Sequence, residues 1–204
     1  MRIKSLVAAM AAAASLAPIA AQAQAQENPW MVRVRAVDVL FQNGQTQTVQ
    51  TANVKAQNTV IPEFDVSYFF TKNIATELVL TWPQQVNINA GAGQTNIGKI
   101  TALPPSLLLQ YHFTDLNGFK PYVGAGVNYT KITGDHLASQ YSLDSKSYGA
   151  ALQVGVDVPL TKQVSLNFDV KKVYIQTDVY SNGAKAGTLK LDPVLVGVGV
   201  GYRF

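Results

Sequence analysis

Two pairs of charged residues share one spacing, and one pair is basic while the other is acidic. Arg33 and Arg35 are separated by a single residue, as are Glu63 and Asp65. Residues two apart in a β-strand face the same side of the sheet, so the two pairs can meet across adjacent strands. Arg and carboxylate side chains in that arrangement form cross-strand, bidentate ion pairs. The spacing predicts a charged floor inside the protein, formed by Arg33, Arg35, Glu63, Asp65, Glu77 and Arg203.

The other motifs that resemble catalytic or cofactor sites lack essential parts. Residues 93–99, GQTNIGK, have the spacing of a phosphate-binding loop, but Ile100 follows in place of Ser or Thr, and no helix is predicted after it. The two histidines, His112 and His136, belong to no cluster with metal-ligand spacing. Serines near His112 would suit a lipid-modifying barrel enzyme, but no GxSxG motif is present. We therefore predict that the protein is not an enzyme and uses no cofactor.

The first residues have the layout of a secretory signal peptide. A basic start precedes an apolar stretch at residues 6–14, and small residues with A-x-A spacing allow cleavage after Ala23 or Ala25. The alternative is a membrane anchor helix, but the apolar run is short of the ~20 residues that a spanning helix needs. The sequence predicts a cleaved signal peptide at residues 1–25 and one mature domain at residues 26–204.

The composition of the mature chain narrows the class of protein. The signal contains two of the 16 basic residues, so the mature chain has 14 basic and 12 acidic residues and a net charge of 14 − 12 = +2. It also has no basic cluster, so nucleic acid is not an expected partner. The chain has no cysteine, which excludes a disulfide framework. Charged residues make up 14%, below the usual ~25% of soluble domains. An exported, charge-poor chain without spanning helices indicates a transmembrane β-barrel.

Alternation of apolar with polar or small residues supports that architecture. Three connections between the alternating segments are short, and four are long and polar or glycine-rich, as in an up-and-down barrel whose ends lie in the periplasm. The sequence thus predicts an all-β, eight-stranded antiparallel up-and-down transmembrane barrel. The alternative is a soluble barrel with its Val, Leu and Phe faces inward, but Gly, Ser and Asn on the opposite faces fit a narrow interior better. The segments are residues 30–40, 59–70, 74–82, 107–113, 121–130, 147–158, 164–175 and 189–204.

Aromatic residues gather at the predicted periplasmic end, where they would form one girdle at the membrane interface. The predicted girdle contains Trp30, Tyr68, Phe70, Tyr111, Phe113, Tyr122, Tyr202 and Phe204.

The inward-facing positions change character along the barrel. Near the periplasmic end the charged floor is joined by Gln110, His112, Asp157, Asp169 and Lys171. Above it, strand parity predicts an apolar funnel that opens to the outside. A single unseen bulge would invert part of this assignment. The predicted channel-lining residues are Val37, Val39, Phe41, Ile61, Val79, Leu189, Leu191 and Leu195.

Two consecutive prolines interrupt the fourth segment. A hydrophobic solute would gain roughly 25 cal/mol per Å² in the funnel, a gain that it would lose at the charged floor, so a sideways exit into the bilayer is cheaper. Pro104 and Pro105 lack N–H donors, which makes them candidates for a lateral opening in the wall. The alternative is that these prolines only end the strand above the membrane.

Four separated blocks of the sequence resemble the OmpW family of small outer-membrane barrels, in the family's order: LPPSLLLQYHF (103–113), FKPYVGAGVNYT (119–130), SYGAALQVGVDVPL (147–160) and LDPVLVGVGVGYRF (191–204). The resemblance implies an eight-stranded barrel with a hydrophobic interior channel for small hydrophobic molecules, and alkane-uptake barrels belong to the same family. It also implies that Tyr202 and Phe204 form the terminal signal read by the barrel-assembly machinery. The alternative is an ordinary last strand with girdle residues.

These observations lead to two functional hypotheses. The first is an outer-membrane channel for passive uptake of small hydrophobic molecules, with outer-membrane lipids and the barrel-assembly machinery as further partners. The second is a structural or surface-interaction barrel whose long loops bind a bacteriocin, a phage or a host partner.

Overall fold

The computed structural model describes residues 28–45, 55–90, 93, 95–114, 116, 118–133 and 141–204. The predicted signal peptide at residues 1–25 and His136 lie outside these residues. No helix in the described part of the chain is long and apolar enough to cross a membrane.

The described residues form fifteen strands. In chain order, they are β1 (Trp30–Leu40), β2 (Gly44–Gln45), β3 (Lys55–Ala56), β4 (Thr59–Phe69), β5 (Ile74–Thr81), β6 (Gln84–Ala90), β7 (Thr95–Leu103), β8 (Ser106–His112), β9 (Lys120–Thr133), β10 (Tyr141–Leu143), β11 (Lys146–Pro159), β12 (Val164–Val173), β13 (Gln176–Ser181), β14 (Ala184–Lys190) and β15 (Val194–Arg203).

Eight of these strands close into an antiparallel barrel, which confirms the predicted fold. The neighbours follow the order β1, β4, β5, β8, β9, β11, β12 and β15. The last strand returns to the first, with Met31 opposite Arg203 and Leu40 opposite Val194. Closure pairs the first strand with the last, so the sheet has no unpaired terminal strand.

The short connections follow β4, β8 and β11 and lie at one end of the barrel, which we call the turn end; the opposite end is the loop end. Two turns are closed by threonine. Thr71 Oγ1 accepts a hydrogen bond from the amide of Ile74 (3.0 Å), and Thr161 Oγ1 accepts one from the amide of Val164 (2.9 Å). A hydroxyl that caps nearby amides replaces the ladder bonds that the strands lose there.

Strand alternation divides the side chains between the interior and the outer surface. On β1, Arg33 is fully buried while its neighbour Val34 is 58% exposed. The other barrel strands alternate in the same way: Val, Leu and Phe predominate on the outer surface, while the inward side chains are polar or small near the turn end and apolar near the loop end. The outer surface is therefore apolar, as expected in contact with lipid, and the soluble barrel that needs its Val, Leu and Phe faces inward and its charged faces outward is excluded.

The long connections contain further strands that the sequence analysis assigned to loops. The hairpin of β6 and β7 extends the barrel wall, with Val86 opposite Ile100 and both side chains buried. β10, β13, β14 and β2 form a second, four-stranded sheet.

The predicted strand at residues 189–204 is two strands, β14 and β15. The break falls at Asp192, which has a φ of 31°, and at Pro193, which has no N–H for a ladder bond. Strand parity survives the break, since Leu191 and Leu195 are both buried.

Candidate functional site

The barrel interior is the candidate site, and it has two zones. A layer of charged and polar side chains, which we call the polar layer, fills the interior near the turn end. An apolar cavity lies between this layer and the loop end.

Arg33 joins both sides of the interior. Its Nε and Nη2 donate to the two carboxylate oxygens of Asp157 at 3.2 and 2.8 Å. Its Nη1 donates to Asp65 Oδ1 (3.2 Å), Glu77 Oε2 (3.2 Å) and Ser67 Oγ (2.9 Å). The bidentate contact with Asp157 crosses the lumen from β1 to β11, so the guanidinium ties the two walls together.

Arg35 and Lys171 occupy the upper part of the polar layer. Arg35 pairs with Asp65 through Nη2, with Glu63 Oε1 through Nε (3.2 Å) and with Asp169 Oδ2 through Nη1 (3.3 Å). Lys171 Nζ lies 2.8 Å from Glu63 Oε1 and 3.1 Å from Asp169 Oδ1. All these side chains are almost fully buried, so their charges interact with one another and not with solvent.

Uncharged amides complete the layer. Gln110 Nε2 donates to Glu77 Oε2 (2.6 Å) and to Gln153 Oε1 (2.8 Å). Gln153 Nε2 donates in turn to Glu77 Oε1 (3.0 Å) and Asp169 Oδ2 (2.8 Å). These bonds connect carboxylates that belong to different ion pairs, which makes the layer one network.

Tyr122 belongs to this network and not to the aromatic girdle, so its predicted place was wrong. Its side chain is fully buried in the lumen, donates to Asp169 Oδ2 (2.7 Å), accepts from Asn167 Nδ2 (3.0 Å) and stacks on His112. Position parity on β9 gives the correct side, because Val123 and Val127 face outward.

Glycines make room for the large side chains of the layer. A Cβ at Gly155 would lie 2.3 Å from Tyr122 Cζ. A Cβ at Gly199 would lie 2.1 Å from the Val34 carbonyl oxygen and 2.6 Å from Arg35 Cγ. An eight-stranded barrel has an interior that side chains just fill, so bare backbone opposite Arg and Tyr is what lets them fit.

The structure places five of the six predicted floor residues in this layer, with Arg33 opposite Asp65 and Arg35 opposite Glu63. The sixth, Arg203, lies below them at the turn end. It is half-buried, its Nε donates to the carbonyl of Asn28 (3.0 Å), and its guanidinium carbon lies 4.1 Å from the centre of the Phe69 ring.

The empty space of the apolar cavity is about 680 Å³, which includes space open to solvent. Six of the eight predicted channel-lining residues border it, and the other two, Val37 and Leu189, belong to the same buried apolar cluster. Glu63 and Lys171 form its base, at the top of the polar layer. Sequence reasoning missed Val86, which also borders the cavity, although it alternates with polar residues in QQVNINA. The predicted residues that border the cavity are Val39, Phe41, Ile61, Val79, Leu191 and Leu195.

The barrel wall has a discontinuity beside this cavity. The pairing of β5 with β8 ends at Val79 opposite Ser106, and the pairing of β6 with β7 begins at Gln84 opposite Ala102. Between these two pairs, four residues (80–83) lie opposite three (103–105). In this described stretch, no strand register joins residues 80–83 to residues 103–105. Pro104 borders the cavity at this point.

The prolines are held on their other side by β9. Leu103 is opposite Lys131 and Ser106 is opposite Asn128, so the register on β9 is unbroken across Pro104 and Pro105. The Pro105 carbonyl accepts from the amide of Tyr129 (3.1 Å) and from Asn128 Nδ2 (3.0 Å). The prolines therefore continue the wall on the β9 side, and the gap in the wall lies on their other side, where β5 ends and β6 begins.

Among the residues that the structure describes, no group of three or more His, Cys, Asp or Glu side chains is placed to hold a metal ion. The carboxylates of the polar layer are already bound by Arg, Lys and amide groups.

Comparison with known proteins agrees with this architecture. The chain matches the OmpW family over residues 26–204. It is 42% identical over 196 residues to an uncharacterized outer-membrane protein of Sinorhizobium fredii, covering 93% of this chain and 86% of that protein. It is 30% identical over 201 residues to the dibenzothiophene metabolism operon protein PahQ of Pseudomonas aeruginosa, covering 91% and 93%. The crystal structure of the outer membrane protein OprG from Pseudomonas aeruginosa matches with a TM-score of 0.74 and 25% identity, covering 88% of this chain and 97% of that one.

Proposed function

Because the chain belongs to the OmpW family and is an outer-membrane β-barrel, we propose that it is a passive channel for small hydrophobic molecules. The observation that carries the proposal is the apolar cavity closed at its base by an ion-paired layer. One relative is a protein of a dibenzothiophene metabolism operon, and dibenzothiophene is an apolar aromatic molecule.

The solvation of the two zones favours entry and opposes straight passage. An apolar solute that buries about 150 Å² in the cavity gains roughly 4 kcal/mol. Continuing through the polar layer would cost that gain and would separate buried charges, at several kcal/mol per ion. The solute therefore leaves through the side of the barrel.

The lateral exit that we propose is the wall discontinuity at Pro104 and Pro105. Pro104 borders the cavity, and the adjacent wall lacks a continuous register with residues 80–83. Opening the wall there breaks fewer ladder hydrogen bonds than at any regularly paired position, and hydrogen bonds are the main cost of opening a barrel in lipid. Apolar molecules would enter the outer leaflet through this gap.

We also propose the orientation and maturation of the chain. The turn end would face the periplasm and the loop end the outside, since short periplasmic turns and long outer loops are typical of such barrels. Residues 1–25 would be removed as a signal peptide. Tyr202 and Phe204, which lie outside the lumen at the end of the chain, would serve as the assembly signal.

Uptake into vesicles with a lipopolysaccharide outer leaflet tests the channel. Naphthalene uptake is followed by fluorescence as the solute reaches cyclodextrin trapped inside. Leu195→Trp fills the cavity and should abolish most of the acceleration, whereas Val196→Trp, its neighbour on the lipid face, should not. If vesicles with and without the protein take up naphthalene at the same rate, the channel hypothesis is wrong.

The lateral exit needs its own variants. Replacing Pro104 and Pro105 together with alanine restores two N–H donors and should slow uptake severalfold without unfolding the barrel. Pro62→Ala is the matched control, because Pro62 lies in the paired wall on β4, opposite Ala36. Unchanged uptake in the double variant would exclude an exit at this position while leaving the channel itself intact.

We keep one second candidate, a surface-interaction barrel whose outer loops bind a partner. The four-stranded sheet of β10, β13, β14 and β2 favours it, since these strands extend the loop end into an ordered surface. Deleting residues 178–188 separates the two candidates: naphthalene uptake should persist if the barrel acts as the channel, while binding to a cell or phage surface would be lost if the loops act.

A further inference from the structure

Two buried polar atoms at the base of the cavity have no hydrogen-bond partner. They are Glu63 Oε2 and Thr81 Oγ1. Glu63 is 2% exposed and Thr81 is 8% exposed, and both side chains border the cavity. The two residues are directly opposite each other on β4 and β5. Directly opposed residues have Cβ atoms about 4.5–5.5 Å apart, so a single ligand atom can reach both groups.

The rest of the Glu63 carboxylate is fully engaged. Glu63 Oε1 lies 2.8 Å from Lys171 Nζ and 3.2 Å from Arg35 Nε. Arg35 does not border the cavity, and Lys171 borders it beside Glu63, but neither cation binds Oε2, which remains without a partner. Buried polar groups without a partner are rare and costly, which is why such a pair beside an empty space indicates a binding group. The other buried atoms without a hydrogen-bond partner in the described residues belong to Arg35, Ser165 and Asn167, and none of these three residues borders the cavity. Arg35 contacts Glu63 as an ion pair and not through a well-directed hydrogen bond.

We propose that Glu63 and Thr81 bind the hydroxyl group of an otherwise apolar solute, such as a phenol or a long-chain alcohol. The solute O–H donates to Glu63 Oε2, and its oxygen accepts from the Thr81 hydroxyl. One hydroxyl thus satisfies both atoms at once, because it is a donor and an acceptor. This inference rests on the proposed channel function and specifies the substrate class of the same cavity.

Other polar groups fit the pair less well. A carboxylate on the solute would meet the negative charge of Glu63, and it has no proton to donate. An ammonium would lie close to the positive charges of Lys171 and Arg35, which pair with Glu63. A plain hydrocarbon would occupy the cavity but leave both atoms unpaired. The cavity should therefore prefer a neutral hydroxylated molecule over the hydrocarbon of the same shape.

Binding of naphthalene and 1-naphthol to the full barrel in lipid nanodiscs tests this preference, with methyl signals of the cavity residues followed by NMR. The ratio of the two apparent affinities is compared between the wild-type protein and each variant, so that partition into lipid cancels. The wild type should favour 1-naphthol by roughly tenfold or more beyond its partition into lipid, as expected for a hydrogen bond to a charged group.

Thr81→Val keeps the side-chain shape and should lower that preference severalfold while leaving naphthalene binding unchanged or stronger. Thr81→Ser should retain the preference. Thr59→Val is the matched control, because Thr59 also borders the cavity but lies on β4 nearer the loop end. Glu63→Gln should lower the preference as well, since an amide accepts more weakly than a carboxylate.

The outcomes separate this inference from the channel hypothesis. The inference is wrong if naphthalene binds but 1-naphthol is not preferred. It is also wrong if the preference for 1-naphthol persists in both Thr81→Val and Glu63→Gln, and in either case water satisfies the two polar atoms. If neither molecule shifts any cavity signal, the cavity is not a solute site and the proposed function fails with it.

Discussion

Replacing Arg33 with methionine should destabilise the barrel by about 3–5 kcal/mol, the range for breaking a buried ion pair. Methionine reaches as far as the arginine Nε and carries no charge, so the change removes the guanidinium and keeps the apolar stem. Asp157 loses both of its bonds to Arg33 and keeps one from Asn167 Nδ2 (2.9 Å). Asp65 still pairs with Arg35.

The size of the effect follows from which carboxylate is left without a cation. Arg33 donates five hydrogen bonds, but their loss does not sum, because Glu77 retains Gln110 and Gln153 as donors. The uncompensated charge falls on Asp157. The double variant Arg33→Met with Asp157→Asn should therefore recover about half of the lost free energy of unfolding, since the orphaned charge is gone.

Urea unfolding in lipid vesicles measures this free energy, with tryptophan fluorescence and the mobility of unheated samples on SDS gels as two independent probes. Lys185→Met is the control, because Lys185 pairs with Asp178 on an exposed hairpin outside the barrel. That variant should unfold at the same urea concentration as the wild type.

A loss below about 1 kcal/mol for Arg33→Met would refute the reasoning, because losses of that size are typical of solvent-exposed pairs. It would mean that water reaches the layer and solvates Asp157 once Arg33 is gone. A hydrated layer would conduct ions and would not turn apolar solutes sideways. The same measurement therefore decides between a sealed base and an open pore.

Four further predictions rest on the described contacts and on the sequence. Tyr122→Phe removes a buried hydroxyl that makes two hydrogen bonds, and should lower the free energy of unfolding by about 1–3 kcal/mol in the urea assay. Gly155→Ala places a Cβ against the Tyr122 ring and should lower the free energy of unfolding by about 1–3 kcal/mol. In a protein that already carries Tyr122→Phe, Gly155→Ala should cost the same amount, because the ring remains. Deleting Phe204 should reduce the amount of folded protein in the outer membrane, measured by gel mobility, and mass spectrometry of the mature chain should show an N-terminus after Ala23 or Ala25.

The barrel was predictable because its strands carry a period of two and its short turns carry polar signals. The predicted segment 30–40 is β1, and the segment 74–82 matches β5 (Ile74–Thr81) within one residue. Strand parity also gives the side on which each residue of the two zones lies. Contacts across the lumen were not predictable, because strand order gives the neighbours of Arg33 on β4 and β15 but not the distance to Asp157 on β11.

Three errors have separate physical causes. Tyr122 was assigned to the girdle by residue type, although its position on β9 alternates with outward Val123. Asp192 and Pro193 interrupt the last segment in the backbone while leaving the apolar alternation intact, so the pattern hides the break. The composition of β6 and β7 predicts a loop, because polar and glycine residues outnumber the apolar ones such as Val86.

The polar layer also has a consequence for the lifetime of the folded barrel. Arg33 and Arg35 are on the first strand, yet they bind Asp157 on β11 and Asp169 on β12. These contacts require the first strand to meet the last, because closure brings β1 across the lumen from β11. The seam between β1 and β15 cannot reopen and carry β1 away from β11 and β12 without breaking these buried ion pairs. The layer therefore opposes unfolding of the closed barrel.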